Sequence, residues 1–233
     1  KQQGKPLHQL WNIPWRSPIV SSFTIGMDDM DTMMRKVEKA DACPILKVKV
    51  GGDQDLAVLR AIHARTKKSL YVDANGGWTL PQAIEYLPVL KECGVRVLEQ
   101  PLPDSNLESY IRLRMANTTE IPILVDESVH GLEDIAEWVG LADGINIKLA
   151  KCGGLSRARR MIDNAQQNGL KVMIGCMVES SLGVTAAAHL APLVDFVDLD
   201  GAALLEDDPF VGMKFEEGRL TIPEAAGIGA IPR

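Results

Sequence analysis

Several short apolar runs in this sequence are broken or ended by ionisable side chains. ILKVKVG carries Lys47 and Lys49, and LYVDANGG carries Asp73 and Asn75. VRVLEQPLP carries Glu99, ILVDES carries Asp126 and Glu127, INIKLAK carries Lys148, and FVDLDG carries Asp198 and Asp200. Asp73, Glu99 and Asp126 come from three successive runs. If those runs are neighbouring strands about 4.8 Å apart, the three carboxylates converge at one height. Anions so close repel one another unless a cation sits among them. Oxygen donors with no histidine or cysteine nearby suit Mg²⁺ or Mn²⁺. Any one of the acids alone could equally cap the helix that follows; three in register favour an ion.

Lys47 and Lys49 are two positions apart and share one face of a strand. An exposed edge strand with a solvated lysine face is the ordinary explanation of such a pair. Here helical units flank the run on both sides, which places it in the interior. Burial and a like-charged neighbour both lower the pKa of an ammonium and make a lysine a usable general base. Lys148 ends a run that would stand across a closed sheet from Lys49. The expected arrangement is a lysine on each face of a metal-bound substrate. It suits removal of the weakly acidic α-proton of a carboxylate, whose enediolate a divalent cation stabilises, and return of a proton from the opposite side with inversion. Asp198 and Asp200 share a face at the last run, on the far side of the mouth from the acidic trio. They suit recognition of a cationic group such as an ammonium; metal binding and a turn or cap before Gly201 are the alternatives. His8, His63, His130 and His189 show no metal or triad spacing, and Met27, Met30, Met33 and Met34 read as core.

The elements that must position these side chains follow one rhythm. Apolar, β-branched runs recur at 22–26, 45–50, 70–74, 96–100, 123–127, 144–149, 171–177 and 196–201, each followed by an amphipathic stretch. Helices are expected over 27–40, with Asp28 and Asp29 at the N-terminus, over 53–65, after Thr79-Leu80-Pro81, over 155–168 before Gly169, and over the Ala-rich 181–193. Alternating strands and helices imply a parallel sheet. No G-x-G-x-x-G turn follows the first strand, as an open dinucleotide-binding sheet would require. The steady repeat predicts an α/β fold, a TIM-like (β/α)8 barrel, over residues 21–216. Residues 1–20 read as a linker or the remnant of another domain, and 217–233 as a tail packing back on the barrel.

The chain has 233 residues, 46% of them hydrophobic, with 25 Lys and Arg against 31 Asp and Glu, a formal net charge of −6. That balance, without a basic run, argues against nucleic-acid binding. No apolar stretch approaches the ~20 residues that span a bilayer, so no membrane partner is expected. Cys43, Cys93, Cys152 and Cys176 are scattered and form no C-x-x-C pair, which favours a reducing, cytoplasmic setting.

Taken in order, K-V-K at 47–49, V-D-A-N at 72–75, L-E-Q-P at 98–101, V-D-E-S at 125–128 and N-I-K-L-A-K-C-G-G at 146–154 resemble the enolase superfamily, in its muconate-lactonizing subgroup. F-x-D-L-D-G at 196–201 is similar to the dipeptide epimerases within it, of the L-Ala-D/L-Glu type. The resemblance implies an isomerase in which Asp73, Glu99 and Asp126 bind Mg²⁺ and Lys49 and Lys148 are the acid/base pair. It implies that Lys47 assists at the substrate carboxylate and tunes Lys49, and that Asp198 and Asp200 hold the α-ammonium of a dipeptide. It also implies that Thr24, Cys176 and Val178 line the substrate. Family members carry an N-terminal capping domain of about a hundred residues. That domain is expected in the full-length protein and absent from this chain, which opens on a segment resembling its end, Gly4–Leu7. A homo-oligomer is compatible with the resemblance. The rival activities at the same site are N-succinylamino acid racemase, o-succinylbenzoate synthase and cycloisomerase. The reading from another class is a barrel that binds without turnover.

Overall fold

The computed structural model describes residues 1–15, 18–104 and 106–233; Arg16 and Ser17, within the expected linker, lie outside the described residues. Eight strands lie in sequence order in one parallel sheet: β1 (Phe23–Ile25), β2 (Ile45–Lys49), β3 (Ser69–Asp73), β4 (Val95–Glu99), β5 (Ile123–Val125), β6 (Gly144–Lys148), β7 (Lys171–Gly175) and β8 (Phe196–Asp198). Between them run α1 (Met30–Lys39), α2 (Asp55–Arg65), α3 (Leu80–Glu92), α4 (Leu107–Ala116), α5 (Ile135–Trp138), α6 (Leu155–Gln167) and α7 (Ser181–Ala188). This is the expected (β/α)8 barrel. Its seam is bridged by hydrogen bonds between the residues leading into β1 and those at β8: the Ser22 N–H donates to the Val197 carbonyl at 3.0 Å, and the Leu199 N–H to Ser21 Oγ at 2.8 Å.

The two faces of each strand do different work, because successive side chains point to opposite sides. Leu46, Val48, Leu70, Val72, Leu98, Ile123, Val125, Ile145, Ile147, Val172 and Ile174 face outward and pack under the helices in the main core. Inside the barrel, Tyr71, Val97, Leu124 and Met173 form a separate small cluster with Ile45 and Phe196 against it. Two residues further along the same faces come Lys47, Asp73, Glu99, Asp126, Gly175 and Asp198. The register pairs Lys49 with Asp73 and Asp73 with Glu99 on adjacent strands. An apolar plug thus fills the bottom of the barrel, and the charged layer sits on top of it, at the C-terminal ends where barrel enzymes do their chemistry.

Local signals set the helices. Asp29 caps α1 by accepting from the Thr32 N–H at 2.9 Å, and Thr79 and Gln82 cap α3 reciprocally, with Pro81 in the first turn. The Ala-rich helix ends at Ala188, earlier than expected; a short 3₁₀ turn at Ala191–Leu193 carries Pro192, which lacks the N–H needed to extend the helix. Met33 is buried as expected, whereas Met27 is exposed at the mouth. Outside the barrel, Ile19–Val20 pairs with Arg219–Thr221, which pairs in turn with Lys214–Glu216. That hairpin straddles the boundary placed at 216/217, and Leu220 and Ile222 belong to the barrel's own core.

Candidate active site

The loop that follows Lys49 is tied down before it reaches α2. The Asp55 carboxylate accepts from the N–H groups of Gly51 and Gly52, and Trp78 Nε1 donates to it at 2.6 Å. Lys49 itself donates to Asp73 Oδ2 at 2.6 Å and to Asn75 Oδ1 at 3.1 Å. Lys47 Nζ stands deeper, 3.1 Å from Asp73, 2.7 Å from Glu99 and 2.8 Å from Asp198. Across the barrel, Lys148 donates to Asp126 Oδ2, and Lys151 Nζ lies 2.6 Å from Asp126 Oδ1. Asn146 donates to Glu99 Oε1 at 2.8 Å. That approach depends on Gly175, since a Cβ there would stand 2.5 Å from Asn146 Oδ1.

Thr24, Lys47, Lys49, Lys148, Cys176, Val178, Asp198 and Asp200 all line one cavity of about 230 Å³. Lys49 is the more open of the opposed lysines, with 27% of its side chain exposed against 8% for Lys148. The Thr24 N–H donates to Asp200 Oδ2 at 2.6 Å, and Cys176 Sγ accepts from the Gly201 N–H at 3.3 Å. Asp73, Glu99 and Asp126 are fully buried and lie behind the lysines. Lys49 also lines a second cavity of about 360 Å³, which opens toward Met27 and Asp53.

The electrostatics correct two expectations. Burial alone would lower the Lys47 ammonium, but Asp198, Glu99, Asp73 and Asp126 together hold it well above the ordinary lysine value. Lys148 is likewise raised: burial is outweighed chiefly by Asp126. The depression expected of the buried Lys47 is therefore not found, because Lys47, like Lys148, faces more carboxylate than ammonium. Asp198 does not stand apart from the acidic trio either; Lys47 bridges it to Asp73 and Glu99. Among the acids, burial would raise Asp73 and Asp126, yet Lys47 and Lys49 lower the first, and Lys148 and Lys151 the second. Glu99 goes the other way, pushed up to about 8 by burial and by Asp73. Burial and Asp198 push Asp200 up to about 6, and burial, Asp198 and Asp200 raise the Cys176 thiol well above its usual range.

A divalent ion suits this donor set. Five carboxylates, Asp73, Glu99, Asp126, Asp198 and Asp200, face four ammoniums, Lys47, Lys49, Lys148 and Lys151. Among the described residues none hydrogen-bonds to the buried Glu99 Oε2; it is 2.7 Å from Lys47 Nζ but badly aligned with it. A buried carboxyl oxygen without a hydrogen-bond donor is costly, and a cation would both satisfy it and draw the carboxyl back to its charged form. Among the described residues, no three acidic, histidine or cysteine side chains are grouped closely enough to enclose an ion. Lysine ammoniums occupy the space between the carboxylates instead. Sequence patterns gave no role to Lys151, Asn146 or Asn75, although Lys151 and Asn146 stand in the same motif as Lys148.

The enolase C-terminal domain-like family matches residues 29–233 of this chain. The L-Ala-D/L-amino acid epimerase of Maribacter sp. is 40% identical over 98% of the chain and 67% of its own length. The substrate-liganded L-Ala-D/L-Glu epimerase from Bacillus subtilis superposes with a TM-score of 0.91 at 30% identity, covering 99% of this chain and 68% of that one. The dipeptide epimerase from Enterococcus faecalis V583 complexed with Mg and L-Leu-L-Tyr gives a TM-score of 0.91 at 32% identity, over 98% of this chain and 68% of that one. This chain thus spans about two thirds of the length of these relatives. Barrel, opposed lysines and epimerase relatives define an enzyme barrel of the isomerase class. The chain belongs to the enolase C-terminal domain-like family.

Proposed function

We propose that this chain is the catalytic barrel of a Mg²⁺-dependent dipeptide epimerase that inverts the α-carbon of the C-terminal residue. The observation that carries the reading is one cavity bordered by Lys49, by Lys148 and by the Asp198/Asp200 pair. Asp73, Glu99 and Asp126 would hold the ion, with Mn²⁺ as a substitute. When bound, the ion withdraws charge from the substrate carboxylate and so eases loss of the α-proton. With the ion holding Asp73 and Asp126, Lys49 and Lys148 are released to approach the α-carbon from opposite faces; the one present as the neutral amine accepts its proton and the other, as the ammonium, delivers a proton, which inverts the centre. Lys47 stays buried and steadies the carboxylate end. Asp200, with Asp198 beside it, receives the α-ammonium of the N-terminal residue at the side of the cavity closed by Thr24, Cys176 and Val178.

Two acids at the end of β8 serve an ammonium and serve no N-acylated substrate, which favours dipeptides over N-succinylamino acids. The free cysteines support a reducing, cytoplasmic setting, and among the described residues no helix is long and apolar enough to cross a membrane. The test is to incubate the chain in D₂O with L-Ala-L-Glu, L-Leu-L-Tyr and N-succinyl amino acids, with and without Mg²⁺, and follow the α-protons by NMR. Mg²⁺-dependent exchange at the C-terminal residue of a dipeptide, with appearance of the second diastereomer, is expected. Exchange confined to the N-succinyl compounds would assign the racemase reaction instead, and exchange with none of them would leave a barrel without turnover.

A further inference from the structure

Gln100 is fully buried, yet its backbone takes φ +38°, a left-handed conformation that residues other than glycine seldom adopt. It directly follows Glu99, and its polar groups reach the loops beyond three successive strands. Its N–H donates to the Leu124 carbonyl on β5 at 2.8 Å, and its carbonyl accepts from the Gly76 N–H beyond β3 at 2.7 Å. Its side-chain Oε1 accepts from the Asp126 N–H at 2.8 Å. Its Nε2 donates to the Leu102 carbonyl at 3.0 Å and to the Tyr110 hydroxyl at 2.9 Å, which holds the amide in that orientation. The strands joined in this way, β3, β4 and β5, are those that carry Asp73, Glu99 and Asp126.

We propose that Gln100 is a positioning residue that fixes the spacing between Glu99 and Asp126, and through it the size of cation their carboxylates accept. The role presupposes the ion assigned to these acids under the proposed function. Filling a polar hole in the core would require neither a left-handed backbone nor a bond to the main chain of Asp126. Mg²⁺ demands oxygens at 2.0–2.1 Å in near-octahedral geometry, whereas Ca²⁺ tolerates about 2.3–2.6 Å and irregular shells. A rigid strut between two ligands therefore matters far more to Mg²⁺ than to Ca²⁺.

The experiment is calorimetric titration of the chain with Mg²⁺ and with Ca²⁺, without substrate. Gln100→Asn keeps the amide and tolerates the left-handed backbone, but is too short to reach the Asp126 N–H. It is expected to weaken Mg²⁺ binding about tenfold or more, in line with losses on removing residues that orient metal ligands, and Ca²⁺ binding by much less. Tyr110→Phe removes a neighbour of the same amide, spares the Asp126 bond and is expected to leave the preference between the ions unchanged. If Gln100→Asn does not fold, Gln100→Met takes its place with the same expectation. Equal weakening of both ions, or an unchanged preference, overturns the strut while native binding of Mg²⁺ leaves the ion assignment standing. Failure of the native chain to bind Mg²⁺ overturns both.

Discussion

Asp198 and Asp200 are two positions apart but are held very differently. Asp198 is paired with Lys47 at 2.8 Å and receives the Ser22 hydroxyl at 2.6 Å, so its charge is already answered. Among the described residues none forms an ion pair with Asp200; the Thr24 main chain donates to it, and burial beside Asp198 pushes it up to about 6. It is the acid with an unmet need for a cation, which a substrate ammonium supplies. Asp200→Asn is expected to raise KM for a dipeptide about tenfold or more, the scale of one charge-assisted hydrogen bond, with Mg²⁺ binding unchanged. The sign with pH follows. Asp200 is protonated in the free chain below about pH 6, so KM should climb as pH falls through that value in the native chain and stay flat in the variant. Steady-state kinetics across that range check it; a native KM indifferent to pH would count against an Asp200–ammonium contact. The residues legible from sequence were those whose charge contradicts an apolar strand: Lys47, Lys49, Asp73, Glu99, Asp126 and Lys148. Gln100, Asn146 and Lys151 carry no such contradiction. Their importance lies in which side chain across the barrel they touch, and spacing along one chain does not encode that.

At the scale of elements, the order of strands and helices was readable because alternating apolar runs and helix caps are local. All eight expected runs overlap a strand of the barrel. What local signals did not reveal is the layering: Ile45, Tyr71 and Val97 face inward like the charged residues two positions on, and only closure of the sheet tells the inside from the outside. The early end of α7 shows the same limit, since an Ala-rich stretch favours helix until Pro192 ends it. Elements also anchor the loops of the site. Asp55 opens α2 and binds the loop after Lys49 through Gly51, Gly52 and Trp78. Removing this acceptor leaves the buried Trp78 indole N–H unsatisfied and frees the Gly51 and Gly52 N–H groups from their partner. Asp55→Ala is expected to cost about 2–4 kcal/mol, the sum of a few net hydrogen bonds, in urea unfolding. It should also slow proton exchange on the Lys49 face more than on the Lys148 face, and an equal slowing of both would show that the loop does not position Lys49.

The whole molecule is held at its ends by a contact that no motif announced. The His8 N–H donates to His189 Nδ1 at 3.3 Å, the His189 Nε2–H donates to the Ile228 carbonyl at 3.1 Å, and the two rings stack 5.5 Å apart. His189 is completely buried, just past the end of α7. Burial lowers both histidines, reinforced for His189 by His8 and opposed for His8 by Glu224. At these two rings the unfolded chain binds more protons than the native one around the ordinary histidine value of 6.5, so their contribution to stability falls as pH drops through it. Because Glu99 and Asp200, both raised, titrate in the same range with the opposite sign, the histidines show in a difference: between about pH 7.5 and about pH 5.5 the native chain should lose more melting temperature, or gain less, than His189→Leu. Identical slopes would mean that these rings do not titrate with folding. The barrel's larger consequence is that it sets Lys49 on β2 and Lys148 at the end of β6, on opposite sides of one cavity. The most direct test of that arrangement is α-proton exchange into D₂O, measured separately from each epimer of a dipeptide in Lys49→Ala and Lys148→Ala. Each variant should lose exchange from one epimer by about 10²–10⁴-fold, the usual contribution of a general base, and keep exchange from the other, with the epimers reversed between the variants. Equal loss from both epimers in both variants would contradict two lysines acting on opposite faces.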